Sequence, residues 1–344
     1  MRYRSEIRKS LTAANLPPSS LLLILILGLV STFGSCNKNP NRVYFTITPE
    51  HRTIDIPVYL DDSTIANMMF DTGCGLFTLD SLFVSDNPHI GHNTPDSIFS
   101  IGSLWSFLRV PASYFKNDRT VKIGGKNLTY SSYCICKYKD YFNTKADGLF
   151  GIPRQDTTHV WELNYEHNYL EIHQAEGFEM PKNCFLLPYV DDFTVQFPML
   201  IEYPDGDTLT INELFFIDTG SQKDIVLVHP RQEELDFLNK KDDAIWITKN
   251  SQEYMRRYTA NATIFDNFYI DTLCIYTLDN PRRLNRGYII GQNFLKRFNV
   301  FFDQKNRQLG LQPIPNFQRL VSPNNGRFYF QVKECQMDKL LLKK

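Results

Sequence analysis

Two short segments of the chain carry the same three residues, an aspartate followed by a threonine and a glycine. They are Asp71, Thr72 and Gly73 in the first segment, and Asp218, Thr219 and Gly220 in the second. Each aspartate directly follows an apolar run, MMF in the first segment and LFFI in the second. An apolar run predicts a buried strand that ends at the carboxylate, and the glycine permits a sharp turn after it.

Two aspartates within hydrogen-bonding distance of each other can hydrolyse an amide bond. At short range the repulsion between two negative charges opposes ionisation of both carboxyl groups. One pKa therefore rises, the other falls, and the pair shares one proton. The ionised carboxylate can act as general base toward a water, while the protonated one donates to a carbonyl oxygen. The hydroxyls of Thr72 and Thr219 can hydrogen-bond to the backbone beside the pair. Because this chemistry needs no metal and no cofactor, we expect neither.

The similarity between the two halves of the chain extends beyond the triplets. A proline-marked strand precedes each acid, DIPVYL and QFPMLIEY, and an apolar-apolar-glycine element follows each, GLFG and YIIG. Cys134 and Cys274 lie equally far ahead of that glycine, so we align them, and WELNYEHNYLEI matches VFFDQKNRQLGL after a one-residue shift. A repeated unit that packs against itself follows a two-fold axis, and residues near the axis meet their counterparts. We therefore expect Asp71 and Asp218 to meet.

The hydrophobic pattern predicts an all-β fold. Apolar residues alternate with a period of two along most of the chain, and only HPRQEELDFLNKK, from His229, is predicted to form a helix of any length. We predict two β-barrel-like lobes related by a pseudo-two-fold axis, with few short helices. The first lobe would span residues 36–188 and the second 189–315. In the C-terminal tail, residues 316–344, RFYFQVKE alternates like one extra strand.

Composition and missing motifs exclude several functions. With 344 residues and 42% hydrophobic residues, the chain can bury one large core or two modest ones. A net charge of -1 leaves no electrostatic footprint for nucleic acid, so we expect no such partner. The sequence contains no HExxH, CxxC or GxSxG motif and no phosphate-binding glycine loop. The close histidines His89 and His92 are interpreted as loop residues and not as metal ligands.

The N-terminus predicts export. Residues 1–35 contain basic residues followed by the uncharged stretch LLLILILGLVSTFG. Its about 14 residues would rise only about 21 Å as a helix, less than the roughly 30 Å of a bilayer core. The stretch ends at FGSC and resembles the lipobox of bacterial lipoproteins, although Phe33 stands where leucine is usual. The resemblance implies lipidation of Cys36 and a lipid anchor in the bacterial cell envelope, in the periplasm or at the cell surface. The alternative is an ordinary cleavable signal.

The repeated triplets and the two apolar-apolar-glycine elements resemble those of the pepsin and retropepsin aspartic proteases, in a single-chain bilobal form. The resemblance covers residues 40–315 and implies a pepsin-like acid protease fold with Asp71 and Asp218 as the catalytic residues. By the same resemblance the supporting active-site loops contain Thr72, Gly73, Thr219, Gly220 and Ser221, backed by residues 148–151 and 288–291. The implied partner is a peptide or protein substrate. Because both acids are in one chain, we expect a monomer.

Two features depart from the family pattern or are harder to place. Cys74 stands after the first glycine, where the family has serine or alanine, and we interpret it as a small buried residue. A β-hairpin of the first lobe, the flap, is implied to cover the cleft, and counting back from VKIGG places it at residues 105–115. Its candidate substrate-binding side chains are Trp105, Phe107 and Tyr114, any of which could instead belong to the core. The counterpart in the second lobe would lie near residues 251–259.

The resulting hypothesis is an aspartic endopeptidase that activates a water between Asp71 and Asp218. The alternative from another class is a catalytically inactive pepsin-like lipoprotein that captures a peptide or glycan at the cell envelope, since fold alone does not establish activity. A third hypothesis is a thiol hydrolase that uses Cys74. Disulfides are compatible with an exported protein, but Cys134 and Cys136 are predicted to share one face of a strand, a poor geometry for bonding each other.

Overall fold

The computed structural model describes residues 39–47, 53–91, 94–102, 109–142, 144–203, 205–240, 245–250, 253–265, 268–279 and 288–315. Most of these residues lie in β-strands, so the prediction of an all-β fold is confirmed. The predicted signal peptide, the predicted C-terminal tail, Cys36, Trp105 and Phe107 lie outside the described residues.

The strands of the first half are β1 (Arg42–Tyr44), β2 (Thr46–Ile47), β3 (Ile54–Tyr59), β4 (Ile65–Phe70), β5 (Phe77–Asp80), β6 (Ser97–Gly102), β7 (Arg109–Phe115), β8 (Arg119–Ile123), β9 (Lys126–Tyr130), β10 (Tyr133–Cys136), β11 (Gly148–Phe150), β12 (His159–Asn164) and β13 (Tyr169–Gln174). Those of the second half are β14 (Phe185–Asp191), β15 (Thr194–Glu202), β16 (Thr208–Asp218), β17 (Ile225–Val228), β18 (Ile245–Asn250), β19 (Glu253–Ile264), β20 (Phe268–Asp279), β21 (Tyr288–Gly291), β22 (Phe298–Asp303) and β23 (Gln308–Pro313).

The helices of the described residues are short. They are α1 (Ser81–Asp86), a 3-10 turn (Pro88–Ile90), α2 (Tyr138–Phe142), α3 (Gln232–Asn239) and α4 (Gln292–Leu295). The predicted helix after His229 is α3, which has Glu233 and Glu234 in its first turn, where carboxylates favour the positive end of the helix dipole. In the part of the chain that the structure describes, no helix combines the length and the apolar character that crossing a bilayer requires.

The strands of the two halves pair in the same order. The first half runs β6-β7-β10-β5-β11-β4-β3 and the second runs β18-β19-β20-β17-β21-β16-β15. In both, the short glycine-containing strand, β11 or β21, is parallel to the strand that leads to the aspartate and antiparallel to the strand that follows it. In the second half, the long hairpin of β19 and β20 takes the place of four shorter strands of the first half. The pairing shows this equivalence, because β19 pairs with β15 just as β8 pairs with β3. The repeat in the sequence is therefore a repeat in topology.

A sheet of six strands joins the two halves, in the order β1-β13-β12-β22-β23-β14, and is called the bridging sheet below. At its centre β12 and β22 run antiparallel. There Glu162 pairs with Phe301, the residue equivalent to it in the second half, so the two-fold axis passes between them. The two hairpins turn through equivalent residues of positive φ, 54° at Asn168 and 52° at Arg307. The match of WELNYEHNYLEI to VFFDQKNRQLGL has the same register in the structure. The sheet thus obeys the same two-fold relation as the lobes.

One predicted alignment is wrong by two residues. Cys134 pairs with Thr78 of β5, and the residue in the equivalent place is Tyr276, which pairs with Val226 of β17. Thr78 and Val226 are equivalent because each faces the residue two positions before the glycine of the neighbouring strand. Cys274 is therefore not the counterpart of Cys134. A shift of two residues keeps every side chain on the same face, so alternation alone cannot detect it.

The described cysteines differ in bonding. Cys74, Cys134, Cys136 and Cys184 carry free thiols, so the expectation that Cys134 and Cys136 do not bond each other is confirmed. Cys274 is disulfide-bonded.

The main hydrophobic core contains residues of both halves. Beneath the first triplet, Phe70 stacks on Trp161 of the bridging sheet with ring centroids 6.0 Å apart, and it also contacts Phe150 of β11. These three side chains are fully buried. The side chain just before Asp71 is thus fixed by two buried aromatic rings. The predicted lobe boundaries stay predictions, although β14 crosses the one at residue 188 and pairs with β15 and β23 of the second half.

Candidate active site

The strands β4 and β16 bring the two aspartates to one place. Asp71 follows the last residue of β4, and Asp218 is the last residue of β16. Their carboxyl groups are hydrogen-bonded to each other although 147 positions separate them in the chain. Within the described residues, the structure therefore brings together the two acids that the repeat predicted to meet.

Both triplet glycines leave room for the carboxyl groups. A Cβ atom on Gly73 would lie 2.9 Å from Oδ1 of Asp71 and 3.0 Å from Oδ1 of Asp218. A Cβ atom on Gly220 would overlap the carboxylate of Asp71 itself. The requirement at both positions is close approach and not an unusual φ angle. Glycine is therefore the residue that permits the two loops to approach this closely.

The two threonines cross-link the loops. The backbone N–H of Thr72 donates to Oγ1 of Thr219 at 2.9 Å, and the N–H of Thr219 donates to Oγ1 of Thr72 at 3.1 Å. Each hydroxyl then donates to the opposite strand, Thr72 to the carbonyl of Ile217 at 2.7 Å and Thr219 to that of Phe70 at 3.4 Å. Because both threonines are buried, losing one of these bonds would leave polar groups unsatisfied. These bonds fix the separation of the aspartates.

Backbone donors orient the carboxyl groups. Oδ1 of Asp71 accepts from the N–H of Gly73 at 2.7 Å. Oδ1 of Asp218 accepts from the N–H groups of Gly220 at 3.0 Å and of Ser221 at 2.9 Å. Asp218 is only 4% exposed, whereas Asp71 is half-buried. The two acids therefore differ in their access to solvent.

Burial and proximity perturb both acids. Burial raises the pKa of Asp71, opposed by its hydrogen bonds with Asp218, Gly73 and Gly220. Burial raises the pKa of Asp218 well above its ordinary value, and the charge of Asp71 and the hydrogen bond between the acids raise it further. The pair together therefore holds a proton more firmly than an isolated aspartate would. The arrangement can keep one neutral and one ionised carboxyl side by side.

Cys74 is a neutral thiol beside the first aspartate. Its Sγ donates to the carbonyl of Leu76 at 2.8 Å. Burial, together with the charge of Asp71, raises the pKa of this thiol above its ordinary value. A thiol nucleophile needs a lowered pKa or an adjacent base, so these surroundings oppose thiol catalysis.

A buried ion pair behind the second aspartate was missed in the sequence. Nη1 of Arg297, which follows α4, donates to Oδ1 of Asp224 at 2.9 Å, and both side chains are buried. The other oxygen of Asp224 accepts from the N–H of Cys274 at 3.0 Å. The N–H of Gln292 donates to the carbonyl of Ser221 at 2.7 Å. The signal was Asp224 just before the apolar run IVLV, but its partner lies 73 positions away.

The flap candidates stay predictions. Tyr114 lies on β7, where its ring packs against Phe99 with centroids 5.6 Å apart. It belongs to a cluster on β6, β7 and β10 that also includes Cys134 and Cys136. Trp105 and Phe107 lie outside the described residues. The second-lobe counterpart predicted near residues 251–259 is described from Glu253, where it forms the beginning of β19.

Metal-ligating side chains come together elsewhere in the described part of the chain. Glu162, Glu171 and His173, on β12 and β13, have ligand atoms within 4.8 Å of one another. None of them belongs to the dyad loops. The dyad itself has the donors for acid–base chemistry through two carboxyl groups and backbone N–H groups.

Compared with models of protein families and with curated protein sequences, this chain matches none. The resemblance to aspartic proteases therefore depends on the repeated motifs alone. Any function inferred from it depends on the geometry of the site.

Proposed function

We propose that the protein is an aspartic endopeptidase of the pepsin-like type, in which Asp71 and Asp218 form the catalytic dyad. The observation that carries this proposal is the hydrogen-bonded pair of carboxyl groups at the ends of two equivalent strands. The threonine cross-links support it, because they hold the pair in one fixed geometry. Such preorganisation is what acid–base catalysis requires.

In the proposed mechanism a water lies between the two carboxyl groups. Asp218, the more buried acid, holds the shared proton, and Asp71 is ionised. Asp71 takes a proton from the water while the water oxygen attacks the peptide carbonyl carbon. At the same time Asp218 donates its proton to the carbonyl oxygen. The tetrahedral intermediate then collapses, the C–N bond breaks, and the leaving nitrogen takes the proton from Asp71. Asp218 recovers its proton as the new carboxyl group forms, which restores the initial state.

The proposed substrate is an extended segment of a peptide or protein. An extended chain can offer its backbone N–H and C=O groups to strands and loops beside a cleft, which suits a site at strand ends. The proposed location is outside the cytoplasm, with a lipid anchor on Cys36 in the bacterial cell envelope. The lipobox-like FGSC segment supports that location.

A peptide-library digest at several pH values tests the activity. We expect internal cleavage of some library members, blocked by a statine-type peptide whose hydroxyl resembles the tetrahedral intermediate. A transition-state analogue binds a working dyad at least about 100-fold more tightly than a plain peptide of the same sequence. Titrating both ligands measures that ratio directly.

Two outcomes would contradict the proposal. If no library member is cut and the statine peptide binds no more tightly than its plain counterpart, the protein is a binding protein. If cleavage occurs but is blocked by a thiol reagent and not by the statine peptide, the nucleophile is a cysteine.

A further inference from the structure

The bridging sheet carries a cluster of buried acids that the proposed protease chemistry does not use. Glu162 lies on β12 and Glu171 on β13, directly opposite each other in the strand pair. Their exposed fractions are only 8% and 6%. Like charges at directly opposite positions destabilise a sheet, and burying each carboxylate adds a desolvation cost.

The fold does not require these charges. The two-fold relation of the bridging sheet places Phe301 at the position equivalent to Glu162, and Gly310 at the position equivalent to Glu171. The same hairpin geometry is thus built in the second half with uncharged residues. The hairpin geometry therefore does not by itself demand the two acids of the first half.

A histidine completes a mixed set of ligands. Nε2 of His173 lies 2.7 Å from Oε2 of Glu162. The ligand atoms of Glu162, Glu171 and His173 all lie within 4.8 Å of one another. In a tetrahedral zinc site with bonds of about 2.1 Å, ligand atoms are about 3.4 Å apart, so adjustments of up to about 1.4 Å suffice.

Neighbouring residues hold the two carboxylates in place. Oε1 of Glu162 accepts from the amide of Asn164 at 2.8 Å and from the hydroxyl of Tyr169 at 2.8 Å. Oε2 of Glu171 accepts from Nε of Arg42 at 2.7 Å, and the guanidinium of Arg42 lies over the ring of Tyr169. Carboxylates that bind metals are usually oriented by such outer hydrogen bonds. Arg42 balances one of the two negative charges.

We infer that Glu162, Glu171 and His173 form a binding site for a divalent transition-metal ion, with zinc the best fit. One imidazole and two carboxylates suit zinc, whereas magnesium and calcium prefer six or more oxygen ligands. His173 is 24% exposed, so the cluster is open to solvent on one side for entry of the ion and for a water as fourth ligand. Binding would tie β12 to β13, next to the centre of the bridging sheet.

The site is separate from the dyad. Trp161 points from β12 toward Phe70, the residue before Asp71. Because side chains alternate along a strand, Glu162 points to the opposite face of the sheet. Its neighbours on that face include Val160 and, across the strand pair, Phe301. The metal site and the protease proposal can therefore fail independently.

Zinc titration of the full, untagged chain after chelator treatment and dialysis tests the inference. We expect one bound zinc per chain by isothermal titration calorimetry. We also expect a thermal midpoint higher by about 5 °C when free zinc is 100-fold above its dissociation constant. Cobalt in place of zinc should give the strong visible absorption of four-coordinate cobalt. A wild-type chain that binds neither ion would overturn the inference without any variant.

Matched variants locate the ion. His173→Gln and Glu162→Gln should each weaken zinc binding at least about tenfold, because losing a direct ligand should cost no less than losing an outer hydrogen-bond partner, for which about 10- to 100-fold is typical. The control is His159→Gln, since His159 also lies on this hairpin and pairs with a single acid, Asp156, at 2.9 Å. It should bind zinc like the wild type. If His173→Gln, folded by circular dichroism, also keeps full affinity, the site is not this cluster.

Discussion

The loop that carries Asp71 and the loop that carries Asp218 have equivalent threonine cross-links at the dyad but are held from behind by different side chains. Behind the first loop, the guanidinium of Arg154 lies beside Gly75 and reaches Asp192 at 3.6 Å, with both charged groups about half exposed. Behind the second, Arg297 and Asp224 form a buried pair at 2.9 Å. Exposed ion pairs contribute little, whereas breaking a buried one is costly.

This difference shows that the two halves share the geometry of the dyad loops but not the ion pairs that hold those loops. The second loop is the more buried one, and its aspartate has the more strongly raised pKa. The first loop leaves its aspartate half-buried, beside a neutral thiol. Two similar backbones thus place the two carboxyl groups in surroundings that differ in exposure and in neighbouring groups, which is the basis of the unequal roles proposed above. An unequal pair is what general acid and general base roles require.

The largest expected effect comes from filling the space at the glycines. In Gly220→Ala the new methyl group would overlap the Asp71 carboxylate, so we expect at least about a 1,000-fold loss of kcat/KM, about 4 kcal/mol of transition-state stabilisation. In Gly73→Ala the nearest oxygens lie at 2.9 and 3.0 Å, and we expect a smaller loss of about 10- to 100-fold. Peptide-cleavage kinetics measure both, with circular dichroism as the folding control. Equal activity in Gly220→Ala and wild type would refute the close approach of the two loops.

The second prediction compares the arginines behind the loops. Arg297→Met leaves Asp224 buried without its charge partner, and we expect the free energy of unfolding to fall by about 3–5 kcal/mol. Arg154→Met removes a half-exposed pair, and we expect a change below about 1 kcal/mol. Urea unfolding of both variants measures the difference. Similar losses in the two variants would mean that the second loop is not the more strongly anchored one.

The third prediction compares the threonine cross-links. Thr72→Val removes a donor at 2.7 Å to Ile217, whereas Thr219→Val removes a donor at 3.4 Å to Phe70. We expect a loss of about 2 kcal/mol in the first variant and about 1 kcal/mol in the second, because the longer hydrogen bond is weaker. Denaturant unfolding measures each. The reverse order would contradict the geometry described for these hydroxyls.

The fourth prediction concerns pH and is the smallest effect. Because the folded pKa of Asp218 lies above its ordinary 3.8, the native state binds more protons than the unfolded state above that pH. This contribution to stability is therefore fully present below pH about 3.8 and is lost as the pH rises through the folded pKa. Asp218→Asn and Asp71→Asn should each flatten the decline, because each removes one of the two carboxyl groups whose pKa is raised. Thermal midpoints measured across pH would contradict this if both variants followed the wild-type curve.

The sequence predicts the fold class and the dyad because both depend on local patterns. Period-two alternation indicates strands, and the two triplets identify Asp71 and Asp218 as residues that meet. The alignment between the two halves is predicted less well. Aligning Cys134 with Cys274 is wrong by two residues, but it leaves every side chain on the correct face of its strand. Residue spacing alone cannot reveal that error, because the side-chain period of a strand is two.

The charged groups around the site could not be predicted from the sequence. Arg297 and Asp224 meet only through the packing of α4 against the second loop. Glu162 faces Glu171 across a hairpin whose pairing must be known before the two acids can be recognised as neighbours. Long-range pairings of polar residues leave no periodic signal, because each involves single positions.

The most direct test of the dyad is turnover of one cleaved library peptide by wild type, Asp71→Asn and Asp218→Asn, measured side by side. An asparagine nearly preserves the shape of each carboxyl group but cannot exchange the shared proton. We predict that both variants remain folded and lose at least about 1,000-fold in kcat, since each acid is needed in every cycle. A folded variant of either position that cleaves within about tenfold of wild type would contradict the dyad mechanism.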